Sequence, residues 1–345
     1  MTAVPQTGRS GGAAAVPQTG RGGSRVTTVP RTGPAAAAVL PEDTERIPSM
    51  NSISIPKKIA MINDIAGFGR CSATEAIPII SAMRVQVCPV PTSLFSNHTG
   101  FPVHFMHDCT PYLRDYLAAW KKLGFRFDGI YCGFLGSAGQ IDIVREFLAD
   151  WPGVPFILDP VMGDHGKAYR TVTAEHCEGM KALLSRAAII TPNITEACLL
   201  TGTSFRESGW DREELCLLAR QLHAMGPDKV VITGLREAED YINFISERSE
   251  GLSTRVNRTH SAGHSWHGTG DIFASIIAAD AVNGVPFSRS VEKAAAFVRI
   301  CISESIRLGI PEQDGVCFEN FLGLLTGENA CGEPPASPSC GEDQS

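Results

Sequence analysis

The sequence predicts an α/β fold in three layers, α/β/α, with a central, mostly parallel sheet and helices on both faces. Three observations predict it. From residue 57 onward, short apolar runs alternate with longer segments of helical periodicity, the order of repeated βαβ units. The runs are continuous rather than alternating in polarity, as in strands buried on both faces: Ile59-Ala60-Met61-Ile62, Ile130-Tyr131-Cys132 and Val230-Val231-Ile232. Several runs end in Gly, Asp, Asn or Thr, and ligands gather at the carboxyl ends of parallel strands.

The bulk numbers fit one large domain. The chain has 345 residues, 43% of them hydrophobic, which is ample for a sizeable core. A net charge of −7 without basic clustering argues against a nucleic-acid surface. No apolar run approaches the roughly 20 residues needed to cross a bilayer. The 11 cysteines lack paired C-x-x-C spacing; most read as small buried hydrophobes or free thiols in a reducing compartment, Cys331 and Cys340 of the tail could pair in principle, and a cytoplasmic location is expected. Residues 1–50 form a low-complexity extension in which Val-Pro-Gln-Thr-Gly-Arg occurs twice. They hold too little apolar surface to offset ordering entropy and are expected to be disordered, with Met50 as the true start. Residues 51–327 form the folded domain, and 328–345 a polar, Pro-rich tail.

The elements follow in order. A strand at 58–63 runs into the turn Asp64-Ile65-Ala66-Gly67-Phe68-Gly69-Arg70, then a helix over 72–83. Strand, glycine turn and helix begin many nucleotide folds, yet the dinucleotide pattern G-x-G-x-x-G is absent. A strand at 85–90 leads to Phe95-Ser96-Asn97-His98-Thr99-Gly100-Phe101, a polar loop with aromatic ends suited to a flat ring. Helices are expected over 111–122 and 138–149, with a strand at 129–132 between them. A strand at 154–158 ends in Asp159-Pro160-Val161-Met162-Gly163-Asp164. Carboxylates there could hold Mg²⁺ through water, or simply make a turn. Residues 163–167 read as a mobile loop, with Tyr169 beyond it.

A helix over 174–184 and a strand over 187–191 lead to Pro192-Asn193-Ile194-Thr195-Glu196. Asn193 and Glu196 share a helical face near its start, which reads either as a capping box or as a pair facing a hydrated metal. After a helix over 211–225, a strand at 229–234 ends in Thr233 and Gly234. Residues 241–245 and 252–259 alternate as antiparallel strands do. Helices over 272–282 and 290–307 complete the domain.

The stretch that organises the rest spans 263–271 and contains Gly268-Thr269-Gly270-Asp271. Two glycines let the backbone turn tightly, and the helix that follows adds unpaired N–H groups and a partial positive charge. That makes a site for a phosphate. Asp271 at its mouth could take a proton from a substrate hydroxyl while the turn holds the phosphoryl group. The plain alternative is a turn and helix cap.

Four motifs now stand in order: Ser96-Asn97-His98-Thr99-Gly100, residues 159–164, Thr191-Pro192-Asn193 with Glu196, and Gly268-Thr269-Gly270-Asp271. Together, over about 57–325, they resemble the ribokinase-like superfamily and, within it, the pyridoxal kinases. The resemblance implies a ribokinase-like fold, a homodimer, and ATP-dependent phosphorylation of the 5′-hydroxymethyl group of pyridoxal, pyridoxine or pyridoxamine. It implies that Asp271 is the general base and the amides of Gly268, Thr269 and Gly270 the anion hole. Asp159 and Glu196 would hold Mg²⁺ largely through water, with Asn193 beside the phosphates. Thr191, Thr233 and Gly234 would lie near the phosphates or a monovalent cation such as K⁺. Tyr169 would belong to a flap over ATP, and His98 and Thr99 would contact the pyridine ring. Where many pyridoxal kinases carry a serine after the first strand, this chain has Asp64, or Asn63 if the loop shifts; an acidic partner favours a cationic nitrogen. The alternatives are a hydroxymethylpyrimidine kinase, a sugar kinase of the same fold, and a non-catalytic pyridoxal phosphate-binding protein, which would need no base.

Overall fold

In the computed structural model the described residues are 55–238, 240–248, 251–260 and 266–326. The expected disordered segments 1–50 and 328–345, and residues 263–265 of the organising stretch, lie outside them. The elements run β1 (Lys57–Ala66), α1 (Ala73–Ala82), β2 (Val85–Phe95), β3 (Met106–Asp108), α2 (Thr110–Lys122), β4 (Gly129–Cys132), α3 (Ala138–Asp150) and β5 (Phe156–Leu158). Then come β6 (Gly163–Asp164), β7 (Lys167–Ala168), α4 (Ala174–Leu184), β8 (Ile189–Ile190), α5 (Ile194–Thr201), α6 (Arg212–Ala224) and β9 (Lys229–Glu237). β10 (Asp240–Arg248), β11 (Leu252–His260), α7 (Thr269–Asn283) and α8 (Phe287–Leu308) follow, with short 3₁₀ turns at Glu312–Asp314 and Glu319–Leu325.

The main sheet has the order β11-β10-β9-β8-β5-β4-β1-β2-β3. From β9 to β2 every neighbouring pair is parallel; β10 and β11 extend one edge antiparallel, and β3 closes the other. Along β1, successive residues go to opposite faces, as the pleat requires. Ala60 and Ile62 join a core cluster with Leu113, Ile141, Met180, Ala197 and Leu218 of α2 to α6. Ile59 and Met61 join a second cluster with Ile79, Ile276 and Val291 of α1, α7 and α8. The three layers are therefore two apolar cores on either side of one sheet. α7 buries Ile272, Phe273, Ile276 and Ile277, each contributing about 1.5–3 kcal/mol relative to exposure. That anchors the turn preceding it.

The strand order reverses at β1. The chain first steps outward to β2, then returns to place β4 on the other side of β1. The crevice for a ligand opens at the carboxyl ends flanking such a reversal.

Three local expectations change. The segment expected as a mobile loop is a hairpin, β6 paired antiparallel with β7, turning at His165 and Gly166 with φ of 48° and 74°. β2 extends to Phe95, and β3, unanticipated, pairs with its last residues. The two 3₁₀ turns after α8 were also not foreseen, having no helical period to read.

Candidate active site

At the carboxyl end of β1 the register slips between Asn63 and Ile65. A bulge of this kind re-aims side chains, and here the consecutive residues Asn63 and Asp64 are both buried. Asn63 is fixed through its carbonyl oxygen, which accepts from the N–H of Asp64 at 3.0 Å and of Phe134 at 2.9 Å. Close approach to β4 is possible because residue 133 is glycine; a methyl group there would overlap the Asn63 amide. With its oxygen occupied, Asn63 presents its NH₂, which donates to Asp271 Oδ1 at 3.4 Å.

Asp271 lies in the first turn of α7, half-buried at the crevice. Burial raises its pKa; the Ser72 main-chain N–H and the Asn63 amide, both bonding its carboxylate, pull it back. The carboxylate is thus held from two sides and made more basic than a free aspartate. Gly268 caps the helix in the left-handed region, φ 83°. The N–H groups of Thr269, Gly270 and Asp271 have no partner inside the helix, as at any helix start. Their dipole favours an anion beside Asp271. Thr269 turns its hydroxyl inward, to Trp266 O at 3.1 Å.

The second group of acids stands at the ends of β5 and β8. Asp159 is buried, its Oδ1 accepting from the Thr191 hydroxyl at 2.9 Å. Glu196 is buried as well, with Oε1 accepting from Met162 N at 3.1 Å and Oε2 from Asn193 N at 2.8 Å. Asn193 and Glu196 form a capping box at α5, and the Asn193 NH₂ donates to Gly163 O at 2.8 Å. Burial pushes both acids up, and Asp271 pushes Asp159 further. Among the described residues no three His, Cys, Asp or Glu side chains gather as a metal cage. Two buried carboxyls fit a hard cation that keeps waters and phosphate oxygens as its other ligands. Thr233 pairs in a bridge with Asn193, and Gly234 follows in the left-handed region, exposed. Tyr169 sits just past the β6–β7 hairpin, 42% exposed, with burial of its hydroxyl raising its pKa.

On the other side of Asp271, Asp64 has a buried Oδ1 without a protein partner. Burial raises its pKa to about 7, with Asp271 adding to the rise and the Ser72 hydroxyl opposing it. His98 is buried with both ring nitrogens occupied: Gly100 N donates to Nδ1 at 3.1 Å, and Nε2 lies 2.6 Å from Gln313 O, which makes Nε2 the protonated nitrogen. His98 thus ties its loop to the C-terminal segment; what it offers a ligand is a ring face, already packed against the His267 ring with centroids 4.5 Å apart and planes tilted by 35°. Thr99 is exposed.

Sequence reasoning missed Ser72 and His267. Ser72 has φ 55°, a conformation no composition signal announces; its spacing to Glu75 was the available clue. His267 sits directly before Gly268 and could have been read with the turn.

A family model described as phosphomethylpyrimidine kinase matches residues 78–315. The pyridoxal kinase of Proteus mirabilis is 30% identical over 269 residues, 70% of this chain and 87% of its own. The hydroxymethylpyrimidine/phosphomethylpyrimidine kinase of Haemophilus influenzae is 31% identical over 196 residues, 54% of this chain and 70% of its own. The crystal structure of a putative phosphomethylpyrimidine kinase from Bacteroides thetaiotaomicron superposes with a TM-score of 0.76 at 34% identity, covering 80% of this chain and 96% of that one. An orthorhombic form from that bacterium, with pyridoxal, superposes at 0.71 and 35% identity, over 78% of this chain and 96% of that one. The chain belongs to the phosphomethylpyrimidine kinase family, within the ribokinase-like superfamily, and is a kinase of the group that includes pyridoxal and hydroxymethylpyrimidine kinases.

Proposed function

We infer that this kinase phosphorylates the 5′-hydroxymethyl group of vitamin B6 compounds with ATP, yielding pyridoxal 5′-phosphate or its congeners. The observation that carries the reading is Asp271, held by the Asn63 amide and the Ser72 N–H, with its basicity raised by burial, at the mouth of a turn of unpaired amides. Asp271 takes the hydroxymethyl proton as the substrate oxygen attacks the γ-phosphorus of ATP, whose bond to the β,γ-bridging oxygen breaks to release ADP. The amides of Gly268, Thr269 and Gly270 hold the charge on the phosphoryl oxygens. Asp159 and Glu196 would hold Mg²⁺ through water, and the ion would neutralise phosphate charge. Asn193, Thr233 and Gly234 line the nucleotide side, Thr191 is the group for a monovalent cation such as K⁺, and Tyr169 covers the nucleotide. Asp64, with its unpartnered oxygen, faces the ring substrate; His98 and Thr99 shape the wall of its pocket. The orthorhombic Bacteroides form, obtained with pyridoxal, supports the B6 choice.

The second reading is phosphorylation of hydroxymethylpyrimidine, which the match to the phosphomethylpyrimidine kinase model favours. One assay separates them: purified protein, Mg·ATP, each of the three B6 vitamers and hydroxymethylpyrimidine, with phosphorylated product followed. A kcat/KM at least tenfold higher for a vitamer is expected; a preference for the pyrimidine replaces the first reading with the second. Asp271→Asn should bind Mg·ATP like the parent yet lose about 10²-fold or more in kcat, the usual worth of a positioned base.

A further inference from the structure

Glu75 has no role in the chemistry above, yet it is the most anomalous side chain near it. It is completely buried in the first turn of α1, and neither carboxyl oxygen has a partner. A buried charge without a counter-charge is very costly, so such a group stays protonated.

Its position in the helix sharpens the anomaly. Ser72 and Glu75 have the spacing of a capping box, in which the glutamate takes the N–H of the cap residue. α5 and α6 close such boxes: Glu196 accepts from Asn193 N at 2.8 Å, and Glu214 from Asp211 N at 3.0 Å. At α1 the box is open. The Ser72 N–H goes instead to Asp271 of another helix, and its hydroxyl to Asp64. Ser72 reaches both by adopting φ 55°, a conformation that costs a non-glycine residue about 1–3 kcal/mol. Glu75, displaced from its usual partner, lies beneath the phosphate turn: a methyl group on Gly268 would overlap Arg70 O and both Glu75 oxygens. The N–H that a capping glutamate would take is thus committed to Asp271.

We propose that Glu75 is a positioning residue for phosphoryl transfer: as a neutral acid wedged under Gly268, it supports the phosphate turn and yields the Ser72 N–H to Asp271. Its protonation is favoured by burial first and by Asp271 of α7 second; Arg70 opposes this, and Glu319 of the C-terminal 3₁₀ turn adds to it. Cys71 beside α1 and Cys301 of α8 also face it, their own thiols held protonated by burial. Once ionised at high pH, Glu75 sets a second negative charge under the anion hole.

The inference rests on the kinase reading, so wild-type turnover is measured first, on whichever acceptor is used. Glu75→Ala should lower kcat at least tenfold and weaken Mg·ATP binding at least fivefold by calorimetry. Glu75→Gln, of the same size and unable to ionise, should rescue both and extend the kcat plateau to higher pH than wild type. A mere space-filler would be replaced equally well by Glu75→Met, which is expected not to rescue. The idea is overturned if Ala keeps its kcat, if Met rescues as well as Gln, or if the alkaline limb of Gln coincides with that of wild type. Should the Ala variant fail to fold, the Gln profile alone decides. If wild type phosphorylates no acceptor, the functional reading fails by itself, and Mg·ATP affinities of the Gln and Met variants still test Glu75: equal affinities overturn it.

Discussion

At the scale of single residues, the site turns on how two aspartates are treated by their neighbours. Asp271 has its pKa raised by burial and only partly restored by its two donors. As the base proposed above, Asp271 works in its ionised form, so lowering the pH is expected to remove activity, with the loss beginning at a higher pH than for an ordinary carboxylate near 4. The acid limb of kcat/KM against pH reports this; a limb at or below pH 4 would show that Asp271 is not the base. Asp64 titrates near neutrality, at about 7, and its Oδ1 has no protein partner. When ionised it suits a protonated ring nitrogen or the ammonium group of pyridoxamine, so we expect kcat/KM for pyridoxamine or pyridoxine to exceed that for pyridoxal. Asp64→Asn should flatten the difference. A strong pyridoxal preference in the parent enzyme would count against the pairing.

At the scale of elements, the turn into α7 does the most for its length. Gly268 combines φ 83° with contact to Arg70 and Glu75 through a face that admits no side chain. Gly268→Ala adds about 1–2 kcal/mol of left-handed strain and forces the turn away from α1. We expect kcat to fall tenfold or more, with Tm lower by several degrees but a folded protein by circular dichroism; full activity would mean the turn does not hold phosphate. Local sequence rules made this element readable, since Gly-Thr-Gly-Asp before an apolar helical run permits few backbones. The same rules left others hidden. The β6–β7 hairpin consists of two-residue strands turning at a non-glycine His165, too short for any period. β3 exists because it pairs with the end of β2, a long-range fact. The reading of Asn193 and Glu196 as capping partners was correct as geometry, while their service to a metal is a separate matter of what binds. At Ser72 a capping-box sequence was present and the box did not form. Tertiary demands from Asp271 and Asp64 overrode it, and such local failures mark functional sites.

At the scale of the whole molecule, the layers were legible because strands buried on both faces must be apolar throughout, whereas the convergence of acids on one crevice was not, since it depends on strand order. β1, β5, α1, α5 and α7 bring Asp64, Asp159, Glu75, Glu196 and Asp271 together, and burial raises the pKa of every one. That arrangement has a consequence for stability. A carboxyl whose folded pKa lies above its unfolded value binds more protons folded than unfolded between the two, so stability falls as pH rises through that window. For Asp64, moving from 3.8 to about 7, the loss amounts to roughly 4 kcal/mol at most, at about 1.4 kcal/mol per unit. His176, His223 and His267, their pKa values lowered chiefly by burial, act in the opposite direction: they contribute stability as pH rises toward and past 6.5. The Tm of the free protein alone therefore mixes both effects. The difference between Asp64→Asn and the parent isolates the acid: near pH 4 the two should melt alike, and by pH 8 the variant should be the more stable by several degrees. A difference that stays constant from pH 4 to 8 would mean that Asp64 is solvated in the free protein, and that the crevice does not hold its acids away from water as the packing of β1 requires.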